Sequence, residues 1–411
     1  MKNDAVCWLS ALSLLVVVGC DASQSSSDGT GGAVSTGGTT TATGGTTSTG
    51  GSTSTGGSTG GAAVTAMPFP FPQNKKPPNC TLTTVANASG LTQAAYNSWK
   101  SAFVTTASPG LRVRRPSNSD DTVSEGIAYG MLAAVYLGDR VIFDGLWAYA
   151  KGHFNTNKLM SWHISSGGTA MDAGSAADAD EDMAWALLGA AAQWGSAAYL
   201  ADGKNVIDAM YTTSFAADGR LKPGDSWGNT MDTFPDYFSP AYYRVFAKVS
   251  GNPNWAASII DRNYEILKNS SGSYGLVPDK TTGTYMPPSG FQNYSYDACR
   301  TPWRIAMDYC FNGETRALEY LQKIGPFFDK IGAANIYDGY NVNGTAIGNV
   351  HNMAFIGPAG VAGMAGYPSL LDGAFNFAST NNGGDQSYYS QSLRVISMLM
   401  MSGNFIDIGK L

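Results

Sequence analysis

The sequence predicts an all-α domain, a toroid of six helical hairpins, and three observations predict it. From about residue 67 to 411 the chain alternates Ala- and Leu-rich stretches of helical period with long loops rich in Gly, Asn and Tyr. Strand signals are few and short. Eleven or twelve helices in roughly 345 residues allot about 58 residues to a hairpin, and three acids that open helices recur near multiples of that length. Glu125 and Asp178 stand 53 positions apart, Asp178 and Asp297 119. Acids so spaced fall on the same end of the toroid.

Helix signals run in order near 91–105, 125–137, 141–151, 180–194, 203–212, 239–250, 254–267, 298–310, 314–325, 352–364 and 387–401. The second is headed by 122-TVSEGIAYGML-132, where Thr122 and Ser124 are both able to cap and Glu125 stands alone before an apolar, small-residue run. The fourth opens as 178-DADEDMAWALLGAAAQW-194. The eighth opens as 297-DACRTPWRIAMDY-309, with Pro302 in the early turns that tolerate it. One acid at a helix start needs no function, since it complements the helix dipole for about 0.3–1 kcal/mol. Three in register, each beside Tyr or Trp, point to reactive carboxyls.

Composition narrows the partners. Charged residues are 14%, the net charge is −6, and Lys and Arg are scattered, which excludes a surface that tracks a phosphate backbone, so nucleic acid is not expected. Many of the 21 Tyr and 9 Trp sit in polar, Gly-rich contexts such as 224-GDSWGN-229 and 292-QNYSYD-297. Most are amphipathic core residues, and a minority is expected to line a groove.

The N-terminus reads as a targeting segment. Lys2 precedes an apolar run from about Ala5 to Val18, too short for a membrane span, and 17-VVGC-20 resembles the bacterial lipobox. Residues 1–20 are thus expected to be a lipoprotein signal and Cys20 the lipidated first residue of the mature chain; the alternative is an ordinary secretory signal with an incidental cysteine. Asp21 resembles an inner-membrane retention signal, but which membrane or surface holds the protein stays open. Residues 21–66, almost wholly Ser, Thr and Gly up to about 63, read as a flexible tether. Pro-rich 68-PFPFPQNKKPP-78 marks the entrance to the domain, 67–411. Of the remaining cysteines, Cys299 and Cys310 lie about 16 Å apart on one helix, too far to bridge. Cys80 can pair with either, or all three are buried thiols.

Two carboxyls on separate helix ends suit the cleavage of a glycosidic bond, which needs a protonated acid on the leaving oxygen and a carboxylate on the opposite face of the ring. Asp178, Asp180 and Asp182 do not make a calcium loop, because the sixth and twelfth positions are Met183 and Gly189. His153, His163 and His351 lack metal-ligand spacing, and there is no nucleophile elbow or phosphate-binding loop, so neither metal nor cofactor is expected.

Five blocks, 122-TVSEGIAYGML-132, 178-DADEDMAWALLGAAAQW-194, 237-YFSPAYYRVF-246, 296-YDACRTPWRIAMDY-309 and 388-YYSQSLRVISMLMMSGNF-405, resemble in order those of glycoside hydrolase family 8. The resemblance implies an (α/α)6 barrel that hydrolyses β-1,4-linked glycans with inversion. It places the general acid on Glu125, a sugar-binding and distorting aspartate on Asp178 and the general base on Asp297. Tyr296, Arg300 and Tyr388 fall in matching blocks as substrate-binding candidates, with Trp162 and Trp227 as weaker stacking candidates. Ala177 stands where the family has Ser or Thr, which leaves the role of Asp178 less defined. The expected function is an endo-acting hydrolase of β-glucan, with chitosan and xylan as alternative polymers. A surface lipoprotein that only binds polysaccharide is the competing class; it would need the aromatic platforms but not the acids. The chain is expected to act as a monomer, touching a membrane only through its lipid.

Overall fold

Helices that are apolar all round must be covered all round, and helices with one apolar stripe can do the covering. The two kinds alternate along this chain. The computed structural model describes residues 65–380 and 385–411. Among these the helices are α1 (Ala88–Phe103), α2 (Ser124–Leu137), α3 (Arg140–Gly152), α4 (Ala177–Trp194), α5 (Ala197–Thr213), α6 (Pro240–Ser250), α7 (Ser258–Ser270), α8 (Thr301–Asn312), α9 (Thr315–Ile331), α10 (Met353–Gly363), α11 (Pro368–Thr380) and α12 (Tyr388–Met401).

The even-numbered helices form the inner ring. In α2 only Glu125 and Leu137 escape full burial, and α10 is buried throughout. Odd-numbered helices such as α7 and α9 bury one face and cover the ring from outside. Neighbours pack in ring order, α2 between α12 and α4, α10 between α12 and α8, and α8 against α6. The Trp185 indole, stacked on the Tyr242 ring at 4.3 Å, joins α4 to α6, and α1 lies on α12 to close the circle. The chain is an (α/α)6 toroid.

Inner helices α2, α4, α6, α8 and α10 each turn into the next outer one through a short connection. Gly138 ends α2 at φ 72° and Gly313 ends α8 at φ 70°, left-handed positions that suit glycine. Five of the return connections are long, 104–123, 153–176, 214–239, 271–300 and 332–352, and lie at the end where the inner helices begin. Short antiparallel pairs stitch them together: Thr122–Val123 with His163–Ile164, Asp232–Thr233 with Thr281–Thr282, and Asn293–Tyr294 with Tyr340–Asn341.

The opposite end is strapped shut. Backbone N–H groups of Met67, Lys75 and Thr81 donate to the carbonyls of Ala192, Gly403 and Met364, at the finishing ends of α4, α12 and α10. The Pro-rich entrance stretch is therefore part of the domain's floor. Cys80 pairs with Cys310 at the end of α8, and Cys299 is a buried thiol.

Two expectations need correction. Residues 368–380, which showed no helix signal, form α11, and neither Thr122 nor Ser124 caps α2. Its N-cap is Val123 with no side-chain bond, while the Thr122 hydroxyl accepts from Arg112 Nη1 at 3.1 Å. The signal segment, Cys20 and the tether as far as residue 64 lie outside the described residues.

The disulfide joins positions 230 apart and fastens the strap to the inner ring. Replacing Cys80 and Cys310 together by alanine is expected to cost about 2–5 kcal/mol of unfolding free energy. Urea unfolding of the variant beside the oxidised parent measures it, and equal midpoints would show that the strap's hydrogen bonds suffice.

Candidate active site

All the inner helices begin at the end with the long loops, so their positive dipole ends converge there. Glu125 is the second residue of α2 and Asp178 the second of α4. Asp236 lies in the 3-10 turn Pro235–Tyr237 ahead of α6, and Asp297 starts the turn Ala298–Arg300 ahead of α8. Tyr388 is the first residue of α12.

Arg300 ties these ends together. Its Nη1 donates to Glu125 Oε2 at 2.5 Å, to Asp178 Oδ2 at 2.7 Å and to the Tyr129 hydroxyl at 3.3 Å. Its Nη2 donates to Asp297 Oδ1 at 3.2 Å and meets Asp236 Oδ2 at 2.6 Å. The carboxylates divide by exposure. Asp178 and Asp236 are sealed in, with side chains 2% and 0% exposed, whereas those of Glu125 and Asp297 are 18% and 28% open.

Burial pushes the Glu125 carboxyl up to about 7, against the pull of Arg300 and with the help of Asp178. The Tyr388 hydroxyl donates to Glu125 Oε1 and favours its ionised form. Burial also raises Asp297, Arg300 draws it down, Asp178 pushes it up and Lys280 draws it down again. The cluster thus holds one carboxyl that keeps its proton near neutrality and another within reach of the same arginine, the makings of an acid and base pair.

The structure gathers Glu125, Asp178, Asp297, Arg300 and Tyr388 in one cluster. Tyr296 adjoins it, its hydroxyl donating to Asp338 Oδ2 at 2.7 Å and its ring lying edge-on to Phe355 at 5.2 Å. Trp162 is half-buried, and its carbonyl accepts from Ser124 N at 2.9 Å, beside Glu125. Trp227 is 43% exposed, with Lys280 Nζ 5.6 Å from its ring. The acidic run of α4 is helical: Asp182 binds Arg304 at 2.5 and 2.8 Å, and Glu181 accepts from the Tyr243 hydroxyl at 2.5 Å.

Sequence reasoning missed two acids of the site. Asp279 Oδ1 accepts the backbone N–H groups of Ser295, Asp297 and Ala298 at 2.9, 3.2 and 2.9 Å and so fixes the turn that carries Asp297. Asp236 had a signal: it stands 58 positions after Asp178 and 61 before Asp297, the hairpin step that the wider interval skips.

The family model for glycosyl hydrolases family 8 matches residues 69–403. Endoglucanase C of Ruminiclostridium cellulolyticum is 37% identical over 366 residues, 84% of this chain and 79% of that protein. Endoglucanase A of Acetivibrio thermocellus is 38% identical over 343 residues, 78% of this chain and 70% of that protein. Among solved structures, the apo β-1,3-1,4-glucanase of Paenibacillus sp. X4 superposes with a TM-score of 0.77 at 32% identity, covering 83% of this chain and all of that one.

Proposed function

The chain belongs to glycosyl hydrolase family 8, and from that premise we propose that it is an exported, lipid-anchored endoglucanase that cuts β-1,4-linked glucan with inversion. The observation that carries the mechanism is the seating of Glu125 and Asp297 on neighbouring nitrogens of one guanidinium. Their oxygens stand 2.5 Å from Nη1 and 3.2 Å from Nη2. Those nitrogens are about 2.3 Å apart in a planar guanidinium, which caps the gap between the two oxygens at about 8 Å. That bound admits a separation of about 6.5–9.5 Å, as in an inverting pair, and also one of about 5–5.5 Å, as in a retaining pair, so inversion rests on the family resemblance.

Protonated Glu125 gives its proton to the glycosidic oxygen as the bond from the anomeric carbon to that oxygen breaks. Asp297 takes a proton from a water that attacks the same carbon from the other face, so the new hydroxyl has inverted configuration. Asp178 keeps Glu125 protonated through its own charge and holds Arg300. The whole constellation comes from one chain, so a monomer suffices.

The names of the two endoglucanase relatives and of the glucanase structure favour β-glucan, cellulose or mixed-linkage, over chitosan and xylan. The rim, where exposed Met171, Trp227, Met231 and Met286 stand on the site-end loops, favours a neutral glycan over chitosan. Apolar and aromatic surface of this kind suits the faces of neutral sugars. The Cys80–Cys310 disulfide supports an oxidising compartment, in keeping with export and lipidation at Cys20.

Reducing ends released from cellulose, mixed-linkage glucan, chitosan and xylan test the substrate, and dominance of either of the last two overturns it. Glu125→Gln is expected to lower hydrolysis by roughly 10²–10⁴ while polymer binding stays. Activity needs Glu125 protonated, so in the wild type kcat/KM should fall as pH rises through about 7. It should also fall on the acid side as Asp297 takes up a proton. A variant that still only binds, with a wild type that never hydrolyses, would favour the binding lipoprotein instead.

Asp297→Ala is expected to lose activity and to recover part of it with azide, giving an inverted glycosyl azide. NMR of the first-formed anomer from the wild type should show inversion; retention would make Asp297 a nucleophile or no participant. Cys20→Ser should release the protein from the membrane fraction with the domain intact, and unchanged partitioning would rule out the anchor.

A further inference from the structure

On the reading just given, Glu125 must hold a proton near neutral pH, yet it lies 2.5 Å from a guanidinium that never loses its charge. An arginine at that distance ordinarily draws a carboxyl down by about one to three units. Burial lifts the carboxyl against that pull, and the lift is easier to keep where other groups take up the charge of Arg300. Glu125 and Asp297 are partly open to solvent, so the counter-ions sealed in with the arginine are Asp178 and Asp236. Asp178 shares Nη1 with Glu125. Asp236 stands on the other nitrogen at 2.6 Å, nearer than Asp297 at 3.2 Å. Burial works against the Arg300 charge, and Asp236 is foremost among the groups that hold it on. Neither oxygen of Asp236 accepts a hydrogen bond from the described residues, so its tie to the site is the charge it sets against Arg300.

We propose that Asp236 is a positioning residue for the hydrolysis, acting on Glu125 through Arg300. Its carboxylate takes up the guanidinium's charge on the Nη2 side and keeps Nη1 directed at Glu125 and Asp178. With that charge answered elsewhere, the arginine can orient Glu125 without stripping its proton. The groups that face Glu125 are Arg300 from the turn before α8, Asp178 from α4, Asp297, Tyr388 from α12 and Tyr129 from α2. Arg115 acts on it from the loop after α1. Around Asp236 itself stand Arg300, Asp297, Asp178, Asp279 and Tyr237. Burial, then the acids among them, pushes its carboxyl well up against the pull of Arg300; its charge rests on the 2.6 Å contact with a cation that never titrates.

Asp236→Asn keeps the shape and removes the charge. With one of its counter-ions gone, Arg300 draws harder on Glu125, and the alkaline limb of kcat/KM should move down by about one pH unit. Polymer hydrolysis should fall about five-fold at pH 7 and little at pH 5.5, a pH-dependent loss that a merely structural defect would not give. A dinitrophenyl cellobioside, whose leaving group needs no proton, should be spared. Asp236→Ala should shift the limb the same way, with circular dichroism showing both variants folded. An unmoved limb, a uniform loss at every pH, or failure of both variants to fold would overturn the proposal. It fails separately from the reading it rests on: an active Glu125→Gln enzyme removes the acid, whereas an inactive one beside an unshifted Asp236→Asn profile removes only Asp236.

Discussion

A single buried guanidinium organises this molecule. Arg300 is 2% exposed and touches carboxylates carried by α2, by α4 and by the turns ahead of α6 and α8. A charge so far from water is tolerable only if paired, and pairing it requires those four chain ends to arrive at one point. One turn further along, Arg304 of α8 binds Asp182 of α4, repeating the upper contact between Arg300 and Asp178 at the same spacing of four residues. Two layers of ion pairs therefore lock α4 and α8 across the toroid. The rest of the ring has to close around them.

Much of this was legible because helical period and hairpin length are sequence properties. Eleven of the helices fall where apolar repeats put them, and the interval from Glu125 to Asp178 to Asp297 marks one end of α2, α4 and α8. What stayed hidden depends on contacts between distant segments. The strap from Met67 to Thr83 has no period of its own and is held by backbone carbonyls at the far ends of inner helices. In α11, Gly373, Asn376 and a Ser-Thr ending weaken the pattern, yet Leu370, Leu371, Ala374, Phe375 and Ala378 are buried against the ring. Asp236 sits in a turn of three residues before Pro240, too short to show a period, and only the empty hairpin step betrayed it. The choice between Cys299 and Cys310 as partner of Cys80 likewise turned on the strap, which reaches the finishing end of α8 and not its start.

The long connections follow from the same arrangement. An inner helix can turn into its outer partner in a few residues, as at Gly138, because the two lie side by side and nothing intervenes. The return at the other end is free to grow, and there it carries Trp162, Trp227, Asp279 and Tyr296 to the rim. A fold with one short end and one long end thereby separates its work. The short end, with strap and disulfide, holds the ring; the long end shapes a cleft without disturbing the core.

Within the cleft, exposure divides labour among acids that chemistry alone would not tell apart. A proton donor must touch both substrate and water, but a carboxyl open to water returns to its ordinary affinity and is ionised at neutral pH. The arrangement here answers both demands at once. Glu125 and Asp297 stand at the boundary, partly open, while Asp178 and Asp236 lie behind them, sealed in with the arginine. On the proposed reading the sealed pair sets up a negative field that water screens little, and the open pair feels it. Burial lifts Glu125 to about 7 against the pull of Arg300, and that field helps it hold its proton there.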